Sequence, residues 1–167
     1  MKKLRLYKVS KNYLKYLHSV DSRVSVKFTN RPYVGVIAMI NNNEYLLPLT
    51  SQTTALREQA GKKKRGAKTT TFVRDGSGEE IANILHNNMI PVFDAVYSEL
   101  TIDVTVDTYE SNEIRYIRKH GKSIIKKAIS VYTKRLSGRD PFLQRICCDF
   151  QKLEIARDSY KSALSQK

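Results

Sequence analysis

The sequence predicts an α+β fold, a compact and strongly bent antiparallel sheet followed by helices. Three features predict it. Short stretches of alternating apolar and polar residues fill the first 110 positions. Two of them, YVGVIAMI (33–40) and EYLLPLT (44–50), flank a run of asparagines and read as a hairpin. From residue 113 onward the apolar residues recur at helical spacing instead. At 167 residues the chain has the length of one domain. The expected division is a β-rich core over roughly 1–110 and a helical part over 111–167, with no interdomain linker.

In order along the chain, Leu4 to Val9 alternates as a first strand, and Ser10 stands as the N-cap of a short helix, KNYLKYLHSV. Tyr13, Leu14, Leu17 and Val20 fall on one side of that helix. VSVKF (24–28) alternates again. The hairpin turns at Asn41-Asn42-Asn43, and Pro48 predicts that its second strand leaves the sheet or lies at an edge there. Residues 52–69 read as a polar, basic loop or a loosely held helical turn. TTFV (70–73) is a short strand, DGSGEE (75–80) a turn and helix start, and MIPVF (89–93) another strand. Leu100, Ile102, Val104 and Val106 alternate cleanly and predict a half-buried strand. Over 113–136, Ile114, Ile117, Ile124, Ala128 and Tyr132 form an apolar stripe, which Gly121 interrupts to allow a kink or a close backbone approach. Asp140-Pro141 and Asp149 are placed to cap two further helices, the last turning Phe150, Leu153, Tyr160 and Leu164 inward.

Charge is the strongest functional signal. Thirty Lys/Arg against sixteen Asp/Glu give a formal net charge of +14, and the excess is segregated. Residues 1–31 hold nine basic and one acidic, 56–76 seven and two, and 113–139 nine and one. Residues 77–112 hold seven acids and no Lys or Arg. Concentrating self-repelling charge in three blocks points to a polyanion as the partner, in the first place a nucleic acid. The alternatives are a solvated basic surface and an anionic membrane surface. The membrane reading is disfavoured because no block pairs a basic face with an aromatic one. No apolar run is long enough to cross a bilayer, and the MKKLRLYKVSKNY start is unlike a signal peptide. The adjacent Cys147 and Cys148 read as reduced thiols, one buried and one incidental, in a cytoplasmic protein, and not as zinc ligands.

The available chemistry is narrow. GKKKRG lacks the end of a nucleotide-binding glycine loop, no paired carboxylates or HExxH are present, and His18, His86 and His120 are scattered as surface or capping residues. Hydroxyl and cation chemistry remains. RNA carries its own nucleophile, the 2′-OH, so cleaving it requires alignment, charge stabilisation on the phosphoryl oxygens and proton movement, without metal or cofactor. Arg31 precedes the first hairpin strand and Thr50-Ser51 follow the second, so pairing of the hairpin brings them to one end of the sheet. The plainer alternative makes Thr50-Ser51 a turn and pairs Arg31 with a surface acid.

The ordered set RPYVGV (31–36), YLLPLTS (45–51), NNMIPV (87–92) and CDFxxLE (148–154), with the opening YKVSKNYLKYL, resembles the ToxN/AbiQ family across nearly the whole chain. These are endoribonuclease toxins of type III toxin–antitoxin systems. The resemblance implies a β-barrel of the MazF/Kid type elaborated by helices. It implies cleavage of mRNA by 2′-OH attack, leaving a 2′,3′-cyclic phosphate. It further implies that the toxin cuts its own repeat antitoxin precursor into pseudoknotted RNA units that inhibit it in a closed assembly. Thr50 and Ser51 stand at the family's active-site positions, and Arg31 at that of a basic residue. Two departures matter. Where the family often has Ser-Pro-Lys this chain has Ser51-Gln52-Thr53, so that Lys62, Lys63 or Lys64 would have to supply the cation, and an upstream tyrosine is replaced by Lys27-Phe28. The groups that move protons are thus left open. Expected RNA contacts are Lys27, Tyr33, Gln52 and Thr53 near the hairpin. The basic loop adds Lys62, Lys63, Lys64, Arg65 and Lys68, and the helix adds Arg115, Arg118, Lys119 and Lys122. A non-catalytic RNA- or DNA-binding protein is the competing function.

Overall fold

The computed structural model describes residues 3–26 and 33–167. Leu6–Val9 forms strand β1 and Lys11–Val20 helix α1, whose first turn is capped by the Ser10 hydroxyl accepting from the Tyr13 amide. Tyr33–Ile40 (β2) and Asn43–Thr50 (β3) make the hairpin. Its turn residues Asn41 and Asn42 have φ of 50° and 61°, the left-handed pair that a two-residue turn needs and asparagine tolerates. Next come helix α2 (Thr54–Gln59) and strands β4 (Thr70–Arg74), β5 (Glu80–Leu85), β6 (Ile90–Pro91) and β7 (Tyr97–Glu99). Four helices complete the chain: α3 (Tyr109–Lys119), α4 (Gly121–Ser137), α5 (Pro141–Ile146) and α6 (Phe150–Ser165).

The seven strands form one antiparallel sheet in the order β4-β5-β3-β2-β1-β7, with β6 beside β3. Among the described residues β4 and β7 do not pair, so the sheet is open where a closed barrel was expected. Pro48 lies in a central strand, which corrects the edge expectation. On one side it is in register with Gly35; on the other, β3 changes partner from β6 at Tyr45–Leu46 to β5 at Leu49–Thr50. The proline sits in that change of partner, where a missing amide costs least. Gly35 is required here, because a Cβ on it would lie 2.3 Å from the Leu47 carbonyl oxygen.

Three sequence expectations fail for tertiary reasons. Val24 and its neighbours up to residue 26 are not a strand, and the rest of VSVKF lies outside the described residues. DGSGEE opens no helix: Gly78 (φ 88°) turns the chain and β5 fills the place between β3 and β4. The alternation at 100–106 is not a strand either, because its would-be partner β1 is exhausted at Leu6, whose carbonyl takes the Leu100 amide. Instead the segment is a strap. Leu100, Ile102 and Val104 pack on the core, and the Asp103 carboxylate accepts from the Thr105 amide at 2.9 Å to turn the chain. The 113–136 stripe is split into α3 and α4 at His120, next to the buried Gly121. Apolar side chains of the sheet, α1 and the C-terminal helices share one core. Both cysteines are buried in it, so neither is incidental, and burial raises their thiols to about 11 and about 12. Leu164, expected inward, is 37% exposed.

Candidate active-site groove

The change of partner on β3 leaves room at the end of the hairpin, and a groove of about 1270 Å³ opens there. The β3 end (Pro48, Leu49, Thr50) and the start of β2 (Tyr33, Val34) contribute its sheet side. The chain then makes a tight turn. The Gln52 amide donates to Thr50 Oγ1 at 3.1 Å and the Thr53 amide to the Ser51 carbonyl at 3.0 Å. This holds Thr50 and Ser51, both half-buried, at the rim of the sheet. Thr50 keeps its hydroxyl proton for an acceptor, since its oxygen serves the Gln52 amide.

A cationic group follows. Gln52 gathers two guanidiniums: Arg57 Nη1 donates to its Oε1 at 3.3 Å, and Arg65 reaches its carbonyl and Oε1 at 2.6 and 3.2 Å. Arg65 Nη1 also reaches Asn83 Oδ1 at 3.2 Å. Asn83 in turn donates to Glu80, whose carboxylate also holds the Thr54 amide at 2.7 Å. Burial pushes the Glu80 carboxyl up, but the Asn83 and Thr54 bonds outweigh it and hold it below its ordinary value. Burial, and then Arg57, lower Arg65 to about 10, which leaves it charged at neutral pH. Lys62 completes the set. The strap and the start of α3 bring a different chemistry: Asp103, Tyr109, Glu110 and Glu113 also line the groove. Glu113 is only 5% exposed, and burial, then Glu110, raise its carboxyl to about 8.

Of the expected site residues, Thr50, Ser51, Tyr33, Gln52, Lys62 and Arg65 line this groove together. Arg31 and Lys27 lie outside the described residues. The others stand elsewhere. Thr53 is buried, its hydroxyl accepting from the Leu56 amide as the cap of α2. Lys63 lends its carbonyl to Arg57, Lys64 lies over the Phe72 ring at 5.2 Å, and Lys68 pairs with Asp140. Arg115 and Arg118 are tied to the Val104 and Leu4 carbonyls, while Lys119 and Lys122 are exposed on α3 and α4. The Tyr33 hydroxyl is buried with no partner among the described residues, and burial raises its pKa.

Glu113 escaped the sequence reading, which counted it as the lone acid of a basic stretch. The signal was present: Glu113 stands four residues before Ile117 and so falls on the buried stripe. His86 was expected at the surface and is fully buried, its Nε2 2.8 Å from Thr71 Oγ1. Among the described residues no three His, Cys, Asp or Glu gather to hold a metal ion, and no helix is long and apolar enough to cross a membrane.

The profile of the family described as Toxin ToxN, type III toxin–antitoxin system, matches residues 5–158. The chain belongs to the ToxN toxin family. Its relatives include the endoribonuclease AbiQ of Lactococcus lactis subsp. lactis, 28% identical over 94% of this chain and 89% of that protein. The endoribonuclease ToxN of Bacillus thuringiensis subsp. kurstaki is 29% identical over 94% and 84%. Among solved structures, a type III toxin described as selectively inhibited by a non-coding RNA pseudoknot superposes with a TM-score of 0.78 at 28% identity, covering 96% of this chain and 99% of that one. AbiQ, described as a lactococcal anti-phage endoribonuclease, reaches 0.81 at 24% identity with the same coverage, a likeness of fold. In this ToxN-family chain the end of the β2–β3 hairpin, the hydroxyl turn and the guanidiniums line one groove.

Proposed function

We propose that this protein is an endoribonuclease toxin of a type III system that cuts RNA in its groove without metal, in the cytoplasm. The observation that carries this is the placement of Thr50 and Ser51 in one groove with Arg57, Lys62 and Arg65. Cations fixed by Gln52 hold the phosphate and oppose the charge that grows on its oxygens as the neighbouring 2′-OH attacks. The Thr50 and Ser51 hydroxyls donate to the same oxygens. Attack of the 2′-oxygen on phosphorus expels the 5′-oxygen and leaves a 2′,3′-cyclic phosphate. Substrates are mRNA and the toxin's own repeat antitoxin precursor, and the processed pseudoknot RNA inhibits by occupying the groove. Type III inhibition by such an RNA in a relative of this chain supports the last step.

The test is Ser51→Ala. Losing one donor to the developing oxyanion lowers cleavage by about 10²-fold, with RNA affinity retained, because the cations remain. Cleavage at the wild-type rate by the variant would remove the hydroxyls from the mechanism. Absence of cleavage by the wild type would favour a non-catalytic RNA binder.

A further inference from the structure

The groove has groups to hold a phosphate but, in the reading above, none yet to give the departing 5′-oxygen its proton. Thr53 is taken up in capping α2, and the guanidiniums of Arg57 and Arg65 are held by Gln52. None of the three histidines lines the groove. We propose that Glu113 is a catalytic residue, the general acid that protonates the leaving 5′-oxygen. The proposal rests on the endoribonuclease reading.

Glu113 is placed for this by its helix. The Thr108 hydroxyl accepts from the Ser111 amide, and the Ser111 hydroxyl accepts in return from the Thr108 amide, so the first turn of α3 is fixed. The next residues on the inner face, Ile114 and Ile117, are core. Glu113 thus lines the groove from a capped helix, and no described residue hydrogen-bonds to its carboxyl. Burial and the neighbouring Glu110 keep a proton on it up to about pH 8. The other charged groups on the elements packed against α3, and along the groove, are engaged or solvated. Glu80 of β5 serves Thr54 and Asn83, and Arg74 of β4 holds the Gly78 carbonyl. On α4, Lys127 bonds the Ala67 and Thr70 carbonyls and Lys122 is exposed. Asp103 caps its own turn, Lys62 and Glu110 are exposed, and the Tyr109 phenol donates to the Ile81 carbonyl at 2.7 Å.

The step balances as follows. The 2′-oxygen bonds to phosphorus and its proton passes to water; the bond from phosphorus to the 5′-oxygen breaks, and that oxygen takes the proton of Glu113. The products are a cyclic phosphate, a 5′-hydroxyl and a Glu113 carboxylate, which regains a proton from water. The acid form is the active one, so this contribution is complete below the carboxyl's folded pKa and is lost as pH rises through about 8.

The experiment is single-turnover cleavage across pH 6–10, by wild type, Glu113→Gln and Glu113→Asp, of an ordinary RNA oligonucleotide and of one whose 5′-bridging oxygen is sulfur. A thiolate leaves without a proton. Expected on ordinary RNA are a wild-type rate that declines above about pH 8, a roughly 10²-fold loss in Glu113→Gln without that break, and partial rescue by Glu113→Asp. On the sulfur-bridged RNA the Glu113→Gln protein should match wild type to within about threefold, because the acid is no longer needed. Equal loss on both substrates would overturn the proposal, since a structural or base-reading role predicts that result. Wild-type rates with an unchanged pH break in Glu113→Gln would overturn it too. If wild type cuts neither RNA, the endoribonuclease reading falls and the proposal with it.

Discussion

Gly35 shows how closely the site depends on individual atoms. Nothing but a hydrogen fits between its Cα and the Leu47 carbonyl oxygen, and β2 and β3 are the strands that carry Tyr33 and Thr50 to the groove. Gly35→Ala forces those strands apart and should cost about 2–3 kcal/mol, read as a lower urea midpoint. An unchanged midpoint would mean that the hairpin relaxes freely. His86 is the second residue with a measurable consequence. Burial, then Lys127, lower its pKa from 6.5 to about 3, so the fold holds it neutral. Because the folded value is the depressed one, its stabilising effect is full above about pH 6.5 and fades as pH falls toward 3, where the unfolded chain takes up a proton that the fold refuses. We expect wild type to lose about 2–3 kcal/mol between pH 7 and 4.5 from this group, and His86→Gln to lose correspondingly less over the same interval. Parallel pH curves would contradict it. Both residues were visible in the sequence only as letters: a glycine inside a strand pattern and a histidine among polar neighbours. Their environments come from strands that join them from elsewhere in the chain.

The elements were legible wherever local signals acted alone. The asparagine turn, the Ser10, Asp140 and Asp149 caps and the apolar stripe of α3 and α4 all form from nearby residues. Elements decided by distant partners were not. β5 exists because β3 and β4 flank it, and the 100–106 strap stays unpaired because β1 is four residues long. The motifs that mark the family prove to be contacts between such elements. Tyr45, from YLLPLTS on β3, donates to Glu154, from CDFxxLE on α6, at 2.6 Å, and Tyr132 of α4 donates to the same oxygen at 2.8 Å. Tyr13 of α1 donates to the Pro91 carbonyl, in NNMIPV, at 2.6 Å. Much of the resemblance therefore reflects scaffold, while Tyr33, Thr50, Ser51 and Asn88 of the same motifs line the groove. The proposed proton donor could not be read from the Thr50–Ser51 turn, because Glu113 lines the groove from α3, 62 residues after Ser51.

Over the whole molecule the excess of positive charge is divided between the groove and the outer faces. Arg57, Lys62 and Arg65 stand in the groove, whereas Lys119 and Lys122 lie on exposed helix faces. If RNA binding engages the three groove cations, the logarithm of affinity falls with a slope of about −2 against the logarithm of salt, roughly twentyfold between 50 and 200 mM. Affinity that does not change with salt would place recognition on other groups. The acids of residues 77–112 temper this field beside the groove at Asp103 and Glu110. They make the groove two-sided, cationic at Arg57, Lys62 and Arg65 and acidic where α3 enters.

On the proposed mechanism RNA supplies its own nucleophile in this groove. Cleavage in excess EDTA of an RNA oligonucleotide and of its twin carrying a single 2′-deoxy nucleotide at the scissile position tests it most directly. The expected outcome is cutting of the first with a 2′,3′-cyclic phosphate end and none of the second at that bond. Cleavage of the deoxy-bearing strand there, or activity only when magnesium is restored, would contradict it.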